Sequence, residues 1–176
     1  MELWEEITIN PSAGARKLVA EYAQRLYETA RYLCPDESSA EDLVFRTLEQ
    51  AVAKIDQFGG RSSLFTWLYR ILVNFVRMDA RRKAANALDF TADELPVTDE
   101  VATPAELLAA AEDAAVVRAA VMELSLPLRT VTVFRYFEDM SVSEIAEVLG
   151  IAEGTVKSRL NAARAQIHQK LCRTIR

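Results

Sequence analysis

The chain has 176 residues, 51% of them apolar and 27% charged, and a formal net charge of −5. That is enough apolar material for one medium core or two small ones, which excludes disorder throughout. No apolar run approaches the roughly 20 residues a membrane-spanning helix needs, so no membrane insertion is expected. The acidic start Met1-Glu2-Leu3-Trp4-Glu5-Glu6 is unlike a secretory signal, so the expected location is cytoplasmic.

With only five glycines and five prolines, helical periodicity dominates. A first helix is predicted from about Ser12 to Leu33, with Leu18, Tyr22, Leu26, Ala30 and Leu33 on one stripe and Pro35 ending it. A second starts at Ser39, capped with the help of Asp42, and its stripe of Leu43, Val44, Leu48, Ala51, Val52 and Ile55 stops at Gly59-Gly60. The third starts at Ser62 or Ser63 and buries Leu64, Leu68, Ile71, Leu72 and Phe75.

That third helix runs into a cationic block. Residues 70–83 hold Arg70, Arg77, Arg81, Arg82 and Lys83 against Asp79, a local charge of +4. Trp67, Arg70, Asn74, Arg77 and Arg81 recur at spacings of three and four, and the loop upstream contributes Phe58, Gly59, Gly60 and Arg61, with Phe65 and Tyr69 as further aromatic surface. Aromatic rings stack on unpaired bases while Arg and Asn hold phosphates and base edges, so this stripe suits melted DNA better than intact duplex. Phe58, Phe65 and Trp67 fit a core position equally well.

Residues 84–113 carry eight acids and no Lys or Arg, and within them residues 89–103 lack periodicity, reading as an acidic flexible linker. Thr103-Pro104-Ala105-Glu106 sets out a capping box with Pro at the first helical position, which starts a fourth helix running to about Leu124. Thr130 to Val133 has strand propensity, yet a lone strand among helices has no partner, and Leu128, Val131, Phe134 or Arg135, and Glu138 also fit a helical period. A helix is predicted.

Ser141-Val142-Ser143-Glu144 forms another capping box, opening a short helix with Val142, Ile145, Ala146 and Leu149 inward. Gly150 breaks it, and a long helix begins near Glu153. Ala146, Gly150 and Val156 have the spacing of a helix-turn-helix: a small residue at the crossing, a glycine for the left-handed turn, a branched residue locking the second helix. Residues 153–176 carry a local charge of +5 from Lys157, Arg159, Arg164, Lys170, Arg173 and Arg176 against Glu153. At about 100° per residue, Val156, Leu160, Ala163 and Ile167 fall on the buried side. Ser158, Ala162 and Ala165 form the outer ridge, flanked by Thr155 and Asn161, with Lys157 and Arg164 on one shoulder and Arg159 on the other. Small residues let the backbone approach base edges while the cations reach bordering phosphates, an arrangement for the major groove of duplex DNA.

No nucleophile with a base, no phosphate-binding glycine loop and no metal set appear, so no catalytic residues, metal or cofactor are expected and the protein is not read as an enzyme. Cys34 and Cys172 form no C-x-x-C pair, and His168 with Cys172 falls two ligands short of a closed zinc site.

The motifs Ala40-Glu41-Asp42-Leu43-Val44, Ser63-Leu64-Phe65-Thr66-Trp67-Leu68-Tyr69-Arg70-Ile71 with Asn74 and Arg81-Arg82, Leu126-Pro127, Ser143 through Gly150, and Gly154-Thr155-Val156-Lys157-Ser158-Arg159-Leu160 resemble the extracytoplasmic-function group of bacterial RNA polymerase sigma factors, in order and over nearly the whole chain. The resemblance implies an all-α protein of two small helical domains. Residues 1–88 would form a domain for core polymerase and the −10 element, residues 89–103 the linker, and residues 104–176 a domain whose helix-turn-helix reads the −35 element. It implies that Asp42 and Leu43 meet polymerase, that Trp67, Arg70 and Asn74 handle the melted promoter, and that Lys157, Ser158 and Arg159 read duplex; their neighbours join them in this reading, Arg46 at the polymerase contact, Phe58, Arg61, Arg77 and Arg81 at the melted promoter, and Thr155, Asn161 and Arg164 at the duplex. The implied partners are core RNA polymerase, promoter DNA and an anti-sigma factor, with the free protein a monomer. Three places depart from the family pattern: Phe45-Arg46 where a polar pair is usual, Met78-Asp79 where the Asp usually stands one position earlier, and Asn161-Ala162 where an aromatic or basic residue is common. The rival reading is a stand-alone helix-turn-helix regulator with a helical sensing domain.

Overall fold

The computed structural model describes residues 2–86 and 114–174, and every regular element among them is helical. They form α1 (Leu3–Ile9), α2 (Pro11–Leu33), α3 (Glu37–Ala53), a 3-10 turn (Ile55–Gln57), α4 (Leu64–Asn86), α5 (Ala114–Met122), α6 (Leu126–Tyr136), α7 (Val142–Leu149) and α8 (Glu153–Thr174). The protein is all-α, in two compact units, one built mainly on the helices before residue 87 and one mainly on those after residue 113, with Glu147–Leu149 grouped with the first. The capping box at Thr103 to Glu106 and the acidic linker lie outside the described residues.

In the first unit α2 packs on α1, α3 and α4, and α3 on α4. The predicted stripes form its core, with Leu18, Leu26, Ala30, Leu33, Leu43, Val44, Leu48 and Ala51 all buried. Asn10 caps α2 by accepting from the Ala13 amide, and Pro11 takes the first helical position, where its missing N–H costs nothing. Helix α1 is an element the sequence pattern did not reveal. The cap of α3 is Asp36 rather than Ser39: its carboxylate accepts from the Ser39 amide at 2.7 Å, so the helix starts two residues earlier than expected and Ser39 lies inside its first turn. The same bond holds the Asp36 carboxyl below the usual carboxylate range.

Helix α4 starts where Ser63 accepts from the Thr66 amide at 3.0 Å. Its buried face is turned slightly from the expected one. Leu68, Tyr69, Leu72, Val73 and Val76 are buried, whereas Leu64, Ile71 and Phe75 are half-buried. Tyr69 corrects the expectation of a surface aromatic: it is fully enclosed and its hydroxyl lies 3.1 Å from that of Thr29 on α2, which supplies the partner a buried phenol needs. The Phe65 ring is covered on one side by the Arg25 guanidinium at 4.1 Å.

In the second unit α8 packs on α5 and α6. Residues 126–136 are helical as predicted, with Leu128, Val131 and Phe134 buried, so tertiary burial of one helical stripe outweighs local strand propensity. Pro127 sits in the first turn, and Lys170 of α8 pairs with Glu123 just beyond α5.

Candidate nucleic-acid interface

The helix-turn-helix is built by local chemistry at each junction. Ser141 accepts from the Glu144 amide at 3.2 Å and the Glu144 carboxylate accepts from the Ser141 amide at 2.8 Å, a closed capping box that opens α7. The Ser141 hydroxyl also donates to Glu144, and these bonds hold its carboxyl below the usual range. Asp139, in the turn before, has φ +54, and Arg135 stabilises that turn by donating to the Met140 carbonyl at 2.9 Å.

Helix α7 ends at Gly150 with φ +64, ψ +39, left-handed backbone that any Cβ disfavours. Nothing stands within 4 Å of where a Cβ would lie, so the glycine is required by its conformation and not by crowding. On α7 Ile145, Ala146 and Leu149 are buried as expected, together with Val148, whereas Val142, expected inward, is half-buried; α8 begins at Glu153 and buries Val156, Leu160, Ala163 and Ile167 along its inner side. The assignment of faces from periodicity therefore holds at all four inner positions of α8.

On the outer side Lys157 is exposed, while Thr155, Ser158, Arg159, Asn161 and Arg164 are half-buried. The Ser158 hydroxyl donates to the Thr155 carbonyl at 3.0 Å. Arg164 donates to the Asn161 side-chain oxygen and lies 3.4 Å from the Leu160 carbonyl, so these two residues act as one polar unit with the Asn161 amide group held in place. Lys157, Leu160, Asn161 and Arg164 line a cleft of about 410 Å³ together with Arg135, Tyr136 and Val142. Arg159 stands apart from it, on the other shoulder. Arg135 and Tyr136 are additions from the fold: they sit at the end of α6, well before α8 begins at Glu153, and only packing brings them beside it. The cleft is a concave surface lined by Lys157, Arg164 and Arg135 with the Asn161 amide among them, suited to a phosphate-bearing backbone.

In the first unit Arg61, Asn74 and Arg81 are exposed, and Trp67, Arg70 and Arg77 half-buried along one side of α4. Phe58 is 5% exposed and lies between Trp4, at 5.9 Å, and Trp67, at 5.3 Å, so its ring is enclosed by protein and closed to a base in this arrangement. Leu43 is likewise core, 1% exposed, while its neighbour Asp42 is exposed.

Arg46 has a structural tie. Its two terminal nitrogens donate to the two carboxylate oxygens of Asp79 on α4, at 3.3 and 2.5 Å, its guanidinium lies 4.8 Å from the Phe75 ring centre, and its Nε stands 3.1 Å from Asp42 without the alignment of a hydrogen bond. The Asp79 bonds raise the Arg46 pKa. Two of the departures from the family pattern, at 45–46 and 78–79, are thus partners of one another. Between α2 and α3 runs an apolar groove of about 760 Å³, lined by Val19, Tyr27, Val44, Phe45, Leu48 and Val52 among others, with Phe45 67% and Val19 49% exposed. Among the described residues no cluster of three or more His, Cys, Asp or Glu side chains is placed to hold a metal, and no helix is long and apolar enough to cross a membrane.

The fold and this site define a helical DNA-binding protein with two modules. The sigma-70 region 2 family matches residues 18–86, and the sigma-70 region 4 family matches residues 114–167. The ECF RNA polymerase sigma factor SigL of Mycobacterium tuberculosis is 36% identical over 153 residues, covering 86% of this chain and 85% of that one. SigW of Bacillus subtilis is 28% identical over 159 residues, covering 85% and 84%. Among solved structures, the sigma factor RpoE in complex with the anti-sigma factor NepR from Bartonella quintana superposes with a TM-score of 0.66 at 28% identity, covering 89% of this chain and 95% of that chain. The chain belongs to the ECF RNA polymerase sigma factors. It binds RNA polymerase and DNA, and directs promoter recognition and transcription initiation, which displaces the reading as a stand-alone regulator.

Proposed function

We propose that residues 104–176 bind the −35 element as duplex, with Lys157, Arg159 and Arg164 on the phosphates and Thr155, Ser158 and Asn161 toward the base edges. Arg135 extends the phosphate contact along the cleft. The observation that carries this reading is the cleft of Lys157, Asn161, Arg164 and Arg135 beside a helix-turn-helix whose turn is made by a left-handed Gly150. Residues 1–88 engage the −10 element, where Arg61, Trp67, Arg70, Asn74, Arg77 and Arg81 stabilise the melted strand and Phe58 shapes the loop that precedes α4. Residues 89–103 connect the two as an acidic linker.

Asp42 and the exposed Phe45 lie on one helix and form the polymerase-facing surface, with the groove beside them. Leu43 and Arg46 support that surface from within, since the first is core and the second is tied to Asp79. An anti-sigma factor is the natural regulatory partner, given that the RpoE relative was solved bound to one. The protein works in the cytoplasm, has no catalytic site of its own, and needs no cofactor.

Promoter fragments tested with the full chain, with and without core polymerase, check the reading. Tight, selective binding only in the presence of core, with start-site-specific transcripts, is the expected result. Lys157→Ala lowers the slope of log affinity against log salt by about one without changing which promoter is preferred. Tight selective binding by the chain alone, or an unchanged slope in Lys157→Ala, contradicts it.

A further inference from the structure

Helix α1 is joined to the loop before α4 by a chain of three rings. Trp4 meets Phe58 nearly edge-on, at 5.9 Å and 70°, and Phe58 meets Trp67 at 5.3 Å and 50°. Phe58 is buried, but Gly59, Gly60 and Arg61 immediately after it are exposed, and Gly60 has φ +66. The loop therefore hangs from one enclosed ring, gripped by α4 on one side and by α1 on the other. Helix α1 is itself firmly seated. Ile7 is fully buried against Gly14, where an added Cβ would come within 2.5 Å of the Ile7 Cα, and Lys17 pairs with Glu6 at 2.7 Å.

We propose that Trp4 is a positioning residue for promoter melting: acting through Phe58, it fixes the 58–61 loop and the Trp67 ring in the geometry that receives an unpaired base. This rests on the −10 reading of Arg61, Trp67 and Asn74 above. A loop with two adjacent glycines has many conformations, and one that must order itself on arrival of the strand loses affinity for it. Holding Phe58 from both sides removes that cost before the DNA is bound. Trp4 needs no contact with DNA; its effect is transmitted by the ring it touches.

The test uses the full chain with core polymerase on a duplex promoter and on the same promoter with its −10 segment already unpaired. The variants are Trp4→Ala, Trp4→Phe, Arg61→Ala and Asn74→Ala; the readouts are permanganate reactivity of the −10 strand on the duplex promoter, the amount of polymerase complex retained on the already unpaired promoter, and affinity for core polymerase. Trp4→Ala lowers the open complex on both templates roughly two- to tenfold, the range of a lost aromatic pair, Trp4→Phe restores most of it, and polymerase affinity stays at the parental level. Parental melting in Trp4→Ala overturns the proposal. So does a parallel fall in polymerase affinity without rescue by Phe, which marks damage to the whole unit. If Arg61→Ala and Asn74→Ala also melt the promoter normally, the −10 reading fails and takes this inference with it; if they lose melting while Trp4→Ala does not, the positioning role alone is wrong.

Discussion

Removing the Arg46–Asp79 tie should destabilise the first unit by an amount that a double-mutant cycle can isolate. The two side chains are 26% and 38% exposed, so water screens the pair in part and the full interior strength does not apply. A fully exposed pair contributes about 0–1 kcal/mol, whereas two charge-assisted, forked hydrogen bonds in a half-screened setting contribute about 1–2 kcal/mol. The stack of Arg46 on Phe75 adds about 0.5–1 kcal/mol. Arg46→Ala loses both and should cost about 1.5–3 kcal/mol, while Asp79→Ala leaves Arg46 with Phe75 and Asp42 and should cost about 1–2 kcal/mol. The double mutant then falls short of the sum by about 1 kcal/mol. The chain has two tryptophans, Trp4 and Trp67, both in the first unit, so tryptophan fluorescence during urea unfolding reports that unit alone. A unit of this size loses about 4–8 °C in Tm per kcal/mol. More than half of the coupling should survive about 0.5 M salt, because a partly enclosed pair is screened less than an open one. A coupling below about 0.3 kcal/mol, or its disappearance in salt, refutes the reasoning and returns Arg46 to the solvated surface.

Gly150→Ala forces a Cβ into left-handed backbone and should cost about 1–2 kcal/mol in the second unit, while Asp139→Gly, which relieves a positive φ, should be neutral or gain a few tenths; thermal unfolding followed by circular dichroism compares them. Glu144 has a lowered pKa in the folded state, so its contribution is complete above the ordinary carboxylate pKa of about 4.5 and is lost as the pH falls through the folded value. Ser141→Ala should cost about 1 kcal/mol at neutral pH, and Glu144→Gln should flatten the acid side of the stability curve; an unchanged acid arm speaks against the capping box. Burial, more than the nearby Asp79 carboxylate, pushes the Cys34 thiol up from 9.0 to about 11, which cuts its thiolate near pH 8 roughly a hundredfold. A disulfide reagent at that pH should label one thiol quickly, the exposed Cys172, and Cys172→Ser should abolish the fast phase.

Much of the fold was legible in one dimension because its causes are local. The stripes of α2 and α3, the capping box at Ser141 and Glu144, the break at Gly150 and the inner side of α8 each depend on residues three or four apart, within reach of a single turn of helix. The helical state of Thr130 to Val133 was legible from the helical period of its flanking apolar residues and by asking what a lone strand would pair with. The expected cap was Ser39, but the chain uses Asp36, whose carboxylate lies three residues earlier and accepts from the Ser39 amide. Helix α1 spans seven residues, too few to display a period, and it is held in place by Gly14 and Phe58 rather than by its own pattern.

The site divides along the same line. Lys157, Arg159 and Arg164 could be placed on the outer shoulders of α8 from a 100° repeat, since the charged side chains of an amphipathic helix sort themselves by angle. That Arg135 and Tyr136 share a cleft with Lys157 and Arg164, that Phe58 and Tyr69 point inward, and that Arg46 is held by Asp79 33 residues away depend on how helices pack. Periodicity says which side of a helix is apolar, but a half-buried position is settled by the neighbour that covers it, and that neighbour comes from a distant part of the chain.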